Sequence, residues 1–338
     1  MEQKKQHPIR EIAFFGTQEY DRISFDTWNK NYRYKITYHT QRLSENTLSF
    51  LGSANVVCAF VNDDLNAKTL QSLSDHGVEL LVMRCAGFNN IDLEYARGKI
   101  SMARVPAYSP YAVAEHALTL LLSLNRKIHR AYARTREYNF SLEGLLGIDL
   151  HGKTFGVIGT GKIGHIFCQL LQGFQAHILA YDPYPNPETV KLNNTHYASL
   201  DEIYHEADAI SLHCPMTPEC YHMIHQESIA KMKAGVILIN TSRGGLIDTE
   251  ALIKGLKAGI IGAAGLDVYE HEGDYFFQDL SNRRISDDIL AQLLSFNNVI
   301  LTAHQAFFTQ EALDNIAITT LENIRSYELG ETLKNAIP

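Results

Sequence analysis

Several classes of protein are excluded by what this 338-residue chain lacks. It has only five cysteines, at positions 58, 85, 168, 214 and 220. Their number is odd and no C-x-x-C pair occurs, so neither a disulfide framework nor a zinc site is expected. Basic charge is also short: the net charge is −8, which argues against a nucleic-acid or anionic-membrane partner. No run approaches the roughly 18 apolar residues of a membrane helix, and "AVAEHALTLLLSL" is interrupted by Glu115 and His116. The opening "MEQKKQHPIREIAFFGT" has a short apolar run, too short for a signal peptide. The fifteen histidines show no H-E-x-x-H or paired-ligand spacing, so no metal is expected. Together these features predict a cytoplasmic protein with reduced thiols. Internal repeats and low-complexity tracts are missing as well. What remains is ordinary globular composition, 45% hydrophobic and 20% charged, long enough for two cores.

Two alternating β/α runs emerge from the periodicity. The second has apolar strands at "FGVIG", "HILAYD", "DAISLHCP", "GVILINTS", "AAGLDVY" and "NVILTAH", with amphipathic helical stretches between them. Short strands alternating with helices predict a doubly wound parallel sheet. The first run has strands at "IAFFGT", "YKITYHT", "NVVCAF", "ELLVMRCAG" and "SMARVP". Its first turn carries one glycine, so this α/β unit, of flavodoxin-like size, is not expected to hold a dinucleotide. A single helix is expected from about Tyr111 to Arg136, capped by Ser109 with Pro110 in the first turn, and about 40 Å long. The tail after His304 is expected to be helical and to return to the first domain. The predicted division is 1–108 with 305–338, and 109–304.

Function is carried first by "TFGVIGTGKIGHIFCQLLQGFQAHILAYD". Gly159, Gly161 and Gly164 make G-x-G-x-x-G between a predicted strand and a helix starting at Lys162 and Ile163. The first glycine permits the tight turn, the second lets backbone approach a pyrophosphate, and the third lets helix and strand pack. The helix N-terminus would favour phosphate. Asp182 ends the next strand and would accept from both ribose hydroxyls while repelling a 2′-phosphate, which selects NAD over NADP.

In such folds ligands sit beyond the carboxyl ends of the strands. Those ends supply Cys214 and Pro215, then Thr241, Ser242 and Arg243, then Asp267 to Glu272, then His304. A lone arginine, acid or histidine would be unremarkable, but three on one rim suit hydride transfer to a 2-oxo acid. Histidine would protonate the forming alkoxide, a carboxylate beside it would orient it and favour its charged form, and arginine would grip the substrate carboxylate. Spacing alone leaves Glu270 and Glu272 as alternatives for the acid.

"INTSRGGLIDTEAL", "AAGLDVYEHEGDYFFQD" and "LTAHQAFFTQEAL" resemble the D-specific 2-hydroxyacid dehydrogenases, including their fermentative D-lactate branch, and the likeness extends to "MRCAGFNNIDLEYA" and "VPAYSPYAVAEHA". The longer "EGDYFFQDLSNRRISDDIL" segment is the feature that points to that branch. The resemblance implies that Arg243, Glu272 and His304 are catalytic, that Glu270 is structural, and that Asp267 lies near the nicotinamide carboxamide. It also implies that the first domain is the substrate side. Backbone N–H groups at Cys85, Ala86 and Gly87 would meet the substrate carboxylate, and Phe60, Tyr108 and Phe307 would line the pocket; for Phe60 ordinary core packing is an equal alternative. One departure is Lys162, where related sequences can carry arginine or histidine. The implied activity is NADH-dependent reduction of pyruvate to D-lactate by a homodimer or dimer of dimers. Bulkier 2-oxo acids are the alternative substrates, and an NAD-sensing corepressor-like binding protein is the alternative class. The complete arginine, glutamate and histidine set and the lack of a basic patch count against the latter.

Overall fold

In a computed structural model, residues 6–338 are described. They form two compact units: one runs to Ser109 and takes in Phe307–Pro338, the other is Pro110–Ala306. Each is built around its own parallel sheet.

The first unit contains β1 (Ile12–Phe14), β2 (Ile36–Tyr38), β3 (Val56–Ala59), β4 (Leu80–Met83) and β5 (Ser101–Arg104), in spatial order β2-β1-β3-β4-β5. That is the flavodoxin-like order, with its switch point at β1. Strands β3 and β4 are buried on both faces, which is why they read as continuous apolar runs rather than alternating ones. The tail forms the helix Gln310–Glu328, capped by Thr309. It packs on the helix Glu19–Asn29, where Ser24 donates to the Leu313 carbonyl at 3.0 Å and Trp28 to Asp314 at 2.8 Å.

In the second unit lie β6 (Thr154–Ile158), β7 (His177–Tyr181), β8 (Thr195–Tyr197), β9 (Ala209–Leu212), β10 (Val236–Asn240), β11 (Ile261–Leu266) and β12 (Val299–Leu301). Their order is β12-β11-β10-β9-β6-β7-β8, and every pairing is parallel. Two apolar clusters cover the sheet. One joins Leu238, Leu252, Leu266 and Leu293, and the other joins Leu120, Leu124, Phe167 and Ile239. Order reverses at β6, which pairs β7 on one side and β9 on the other. A ligand crevice is expected at its carboxyl end.

Two sequence expectations need correction. The single helix Tyr111–Arg136 is two, Pro110–Asn125 and Ile128–Arg136. Lys127 between them is left-handed at φ +51°, and Asn125 turns its amide to the returning chain, donating to the Ile148 carbonyl and accepting from the Ile148 N–H. The first helix has a buried face for the sheet, whereas Ile128–Arg136 buries no residue, so nothing holds one rod straight. Strand β8 has no counterpart among the predicted strands. It is three residues at the sheet edge, too short for alternation to register. Among the described residues no helix is long and apolar enough to cross a membrane, and no cluster of histidine, cysteine and acidic side chains could hold a metal ion.

Candidate functional site

At the carboxyl end of β6 the chain turns at Gly159, whose φ is +93°. A Cβ there would stand 2.4 Å from the Cys214 nitrogen. Gly164 is tighter still, since a Cβ would lie 1.9 Å from the Gly159 carbonyl oxygen. By contrast, a Cβ on Gly161 would meet nothing within 4 Å. The first and last glycines therefore weld turn, helix and β9 together, and the middle one leaves an open cradle. Lys162 is exposed at the start of the helix Lys162–Gln172, and Ile163 beside it leans on the core.

Asp182 closes this turn from β7. One carboxylate oxygen accepts the Thr160 N–H at 2.7 Å, and the other accepts the Tyr184 N–H at 2.9 Å. The Thr160 hydroxyl adds a longer bond to the first, at 3.3 Å. A carboxylate has about four acceptor sites, so these protein donors do not exhaust Asp182. Sequence reasoning missed Tyr197 on β8, whose hydroxyl lies 2.6 Å from the Thr160 hydroxyl and accepts the Asn186 N–H at 2.7 Å. No motif marks it; only the edge strand brings it there.

From β9 and β10 come two crossed loops. The Ser242 hydroxyl donates to the Cys214 carbonyl at 2.6 Å. The Cys214 thiol is buried, and that burial pushes its pKa up to about 12, so it acts as a small apolar wall while Pro215 is exposed. Thr241 is buried and its hydroxyl oxygen has no protein partner. An orphaned hydroxyl and an open glycine cradle on the same rim fit a polar ligand such as a dinucleotide. Arg243 is held at both ends: its guanidinium donates to the Ser242 carbonyl at 2.7 Å and its own carbonyl accepts from the Asn240 side-chain amide at 2.9 Å.

The loops after β11 and β12 are bound to each other. Asp267 is fully buried. Its carboxylate accepts from the Thr302 hydroxyl (2.6 Å) and from the N–H groups of Gln305 (2.8 Å) and Ala306 (2.9 Å). Its carbonyl accepts the His304 N–H at 2.7 Å. Asp267 thus grips the chain on both sides of His304, which is itself left-handed at φ +54°. That geometry commits most of the carboxylate's acceptors to the loop. His116, on the helix Pro110–Asn125, joins this network at 3.1 Å from the Thr302 hydroxyl, and burial lowers its pKa despite Asp267 beside it.

Between the two acids left open by spacing, the geometry distinguishes clearly. Glu272 places one carboxylate oxygen 2.7 Å from His304 Nδ1 and accepts the Tyr269 N–H with the other at 3.1 Å. Glu270 faces the other way, 2.5 Å from His222 Nε2 and accepting the Thr249 hydroxyl at 3.0 Å. Phe277, given no role by the sequence reading, sets its ring 5.9 Å from the His304 ring.

The remaining expected residues belong to the first unit. Phe60 is half-buried and pinned at both backbone groups, donating its N–H to Asp63 at 2.6 Å and accepting from Asn90 at 3.1 Å. Its ring lies 4.7 Å from the guanidinium of buried Arg84, which is also 4.6 Å from the Phe14 ring. Arg84 was missed by the sequence reading; it pairs Asp21 at 3.5 Å and donates to the Gly16 carbonyl at 2.9 Å. In the turn after β4, the Cys85 carbonyl accepts the Val105 N–H and the Ala86 carbonyl accepts from Arg104 at 2.7 Å. The Cys85 thiol points back to the Gly87 carbonyl at 3.2 Å. Tyr108 and Phe307 meet edge to face, 6.0 Å between ring centroids.

Comparison with known proteins gives a consistent result. Residues 118–306 match the family described as D-isomer specific 2-hydroxyacid dehydrogenase, NAD binding domain. The chain is 51% identical over 327 residues to a 2-hydroxyacid dehydrogenase homolog of Haemophilus influenzae, covering 96% of this chain and 98% of that protein. It is 47% identical to the D-lactate dehydrogenase of Escherichia coli, covering 96% and 99%. The solved apo-structure of that Escherichia coli enzyme superposes with a TM-score of 0.89, over 97% of this chain and 100% of the other, at 45% identity.

Proposed function

This chain belongs to the D-isomer specific 2-hydroxyacid dehydrogenases, and from that premise we propose that it reduces pyruvate to D-lactate with NADH, His304 acting as general acid. It is an NAD-dependent oxidoreductase of that family. The observation that carries the proposal is the His304 Nδ1 to Glu272 contact at 2.7 Å, on a loop anchored by Asp267. A carboxylate at Nδ1 fixes the ring and compensates the imidazolium, leaving Nε2 to hand its proton to the substrate oxygen.

Bound NADH supplies the hydride. Gly159, Gly161, Lys162, Ile163 and Gly164 would hold its pyrophosphate at the helix N-terminus, Asp182 its ribose, and Cys214, Pro215, Thr241 and Ser242 the crossing loops beneath it. Asp267 serves the loop that carries His304. Arg243, fixed through the Ser242 carbonyl and the Asn240 amide, would take the substrate carboxylate and polarise the ketone. In this reading Pro110–Ala306 is the cofactor domain and the first unit the substrate domain, contributing the Cys85–Gly87 turn with Phe60, Tyr108 and Phe307. Self-association is part of the proposal. Tyr138, Phe140, Leu142 and Leu146 are 71–87% exposed, an apolar arm that a second copy would cover. A cytoplasmic location accords with five free cysteines.

The test is loss of NADH absorbance with purified protein and a panel running from pyruvate to 4-methyl-2-oxopentanoate and phenylpyruvate. Pyruvate should have the highest kcat/KM; a higher value for a bulkier acid would reassign the substrate. His304→Gln should bind NADH within a few fold of wild type and lose roughly 10²–10⁴ in kcat. Wild-type kcat in that variant would remove His304 from the chemistry.

A further inference from the structure

Phe277 follows directly from the turn that carries Glu272. The N–H groups of Tyr275 and Phe276 both donate to the Glu272 carbonyl, at 3.0 and 2.9 Å, so the chain coils tightly away from the acid that holds His304. It then enters the left-handed region at Phe277, with φ +63°. A bulky aromatic side chain rarely adopts that conformation, and it persists only where the surroundings enforce it. His304 is left-handed too, and the two rings meet at 5.9 Å with a 39° tilt. Phe277 also packs against one of the two apolar clusters of this unit, the one that holds Leu266 and Leu293, which gives its ring a fixed seat.

We propose that Phe277 is a positioning residue for His304: its ring stops the imidazole from turning away from Glu272 and keeps water off that side. The reasoning concerns what the other contacts leave undone. Asp267 fixes the backbone of His304, and Glu272 engages one ring nitrogen. A single hydrogen bond at one edge of a ring still permits the plane to swing about it. A packed aromatic neighbour removes that freedom, and proton transfer is steeply sensitive to such alignment. An apolar face beside the imidazole also excludes the solvent that would weaken its interaction with Glu272. Strain at Phe277 is then the cost of aiming a ring where a relaxed turn would not send it.

The inference rests on His304 being the proton donor, so the experiment separates the two. Phe277→Ala, Phe277→Gly, Phe277→Tyr and His304→Gln would be compared for kcat and KM with pyruvate, NADH affinity by fluorescence, and melting temperature. Removing the ring should lower kcat by roughly ten- to a hundredfold, the scale set by a misplacement near 1 Å, with KM and NADH affinity within a few fold. Phe277→Tyr, which keeps the ring, should restore most of the rate. Glycine accepts φ +63° without penalty, so Phe277→Gly should melt no lower than Phe277→Ala. A slow but stable glycine variant therefore supports positioning rather than unfolding. Wild-type kcat in Phe277→Gly beside an inactive His304→Gln overturns the role of Phe277 alone. An active His304→Gln overturns the reading beneath it.

Discussion

Substituting the three fingerprint glycines one at a time should separate folding from cofactor binding, because the structure gives each a different obstacle. A methyl at Gly164 would stand 1.9 Å from the Gly159 carbonyl oxygen, where Cβ contacts below 3.0 Å essentially never occur. The turn and the helix Lys162–Gln172 would have to part by about 1 Å, an overpacking worth roughly 1–3 kcal/mol or more. In a unit of this size each kcal/mol lowers the melting temperature by about 2–4 °C, so Gly164→Ala should melt several degrees below wild type without any ligand. Gly159→Ala should fare worse, since φ +93° adds the cost of a left-handed residue to a 2.4 Å approach to the Cys214 nitrogen. Gly161→Ala is the contrasting case. Its methyl would meet nothing within 4 Å, so the melting temperature should fall only by the cost of alanine at a helix N-cap, on the order of 1 kcal/mol or less. The methyl would instead occupy the approach of the pyrophosphate. NADH affinity should fall about ten- to a hundredfold, or roughly 1.4–2.8 kcal/mol. The assays are thermal denaturation of the apoprotein and NADH fluorescence titration. Wild-type NADH affinity in Gly161→Ala would refute the cradle, and an unchanged melting temperature in Gly164→Ala would refute the weld.

Asp182→Ser should weaken NADH roughly ten- to a hundredfold, as expected for lost bonds to a charged acceptor at about 1.5–3 kcal/mol each, and should improve the relative use of NADPH. Equal use of both cofactors by the wild type would show that Asp182 does not gate the ribose. His213 is half-buried, with its Nδ1 buried and unpartnered and its Nε2 2.9 Å from the Ser211 hydroxyl, and burial of the ring pushes its pKa down from 6.5 to about 3. Below pH 6.5 the unfolded chain takes up a proton that the folded one refuses, so this contribution to stability is whole above that pH and is lost as pH falls toward 3. Chemical denaturation across that window should show His213→Asn losing less stability on acidification than wild type, by up to about 1.4 kcal/mol per pH unit; parallel curves would contradict it. Phe60→Leu should shift kcat/KM toward longer 2-oxo acids by about ten- to a few-hundredfold if the ring faces substrate. Should substrate ratios stay fixed while stability drops, Phe60 serves only as the apolar cover of Arg84.

The sequence by itself determined what depends on local pattern and on the ends of strands. The eleven residues from Thr154 to Gly164 contain the strand, the turn and the glycines, and the close approach of Gly164 to the Gly159 carbonyl is made within those positions, whereas the one Gly159 makes to Cys214 comes from the loop after β9. The candidate rim of Arg243, Asp267, Glu272 and His304 was legible for a related reason: in a parallel sheet every strand ends on the same side, so reading strand ends gathers the residues of that rim. Chain-distant pairings were decided only by the tertiary structure. Spacing placed Glu270 and Glu272 equally, and the difference arises because His222 and Thr249 engage one while His304 meets the other. The helix beyond Asn125 looked continuous because its residues favour helix, yet it breaks at Lys127 where no core face remains to hold it. Arg84 and Phe277 sit inside stretches that carry the resemblance but have no role assigned there, and Tyr197 sits in none of them. Arg84 matters through Phe14, Asp21 and Phe60, Tyr197 through Thr160, and Phe277 through His304. Each depends on partners from separate elements, and only packing brings such partners within reach.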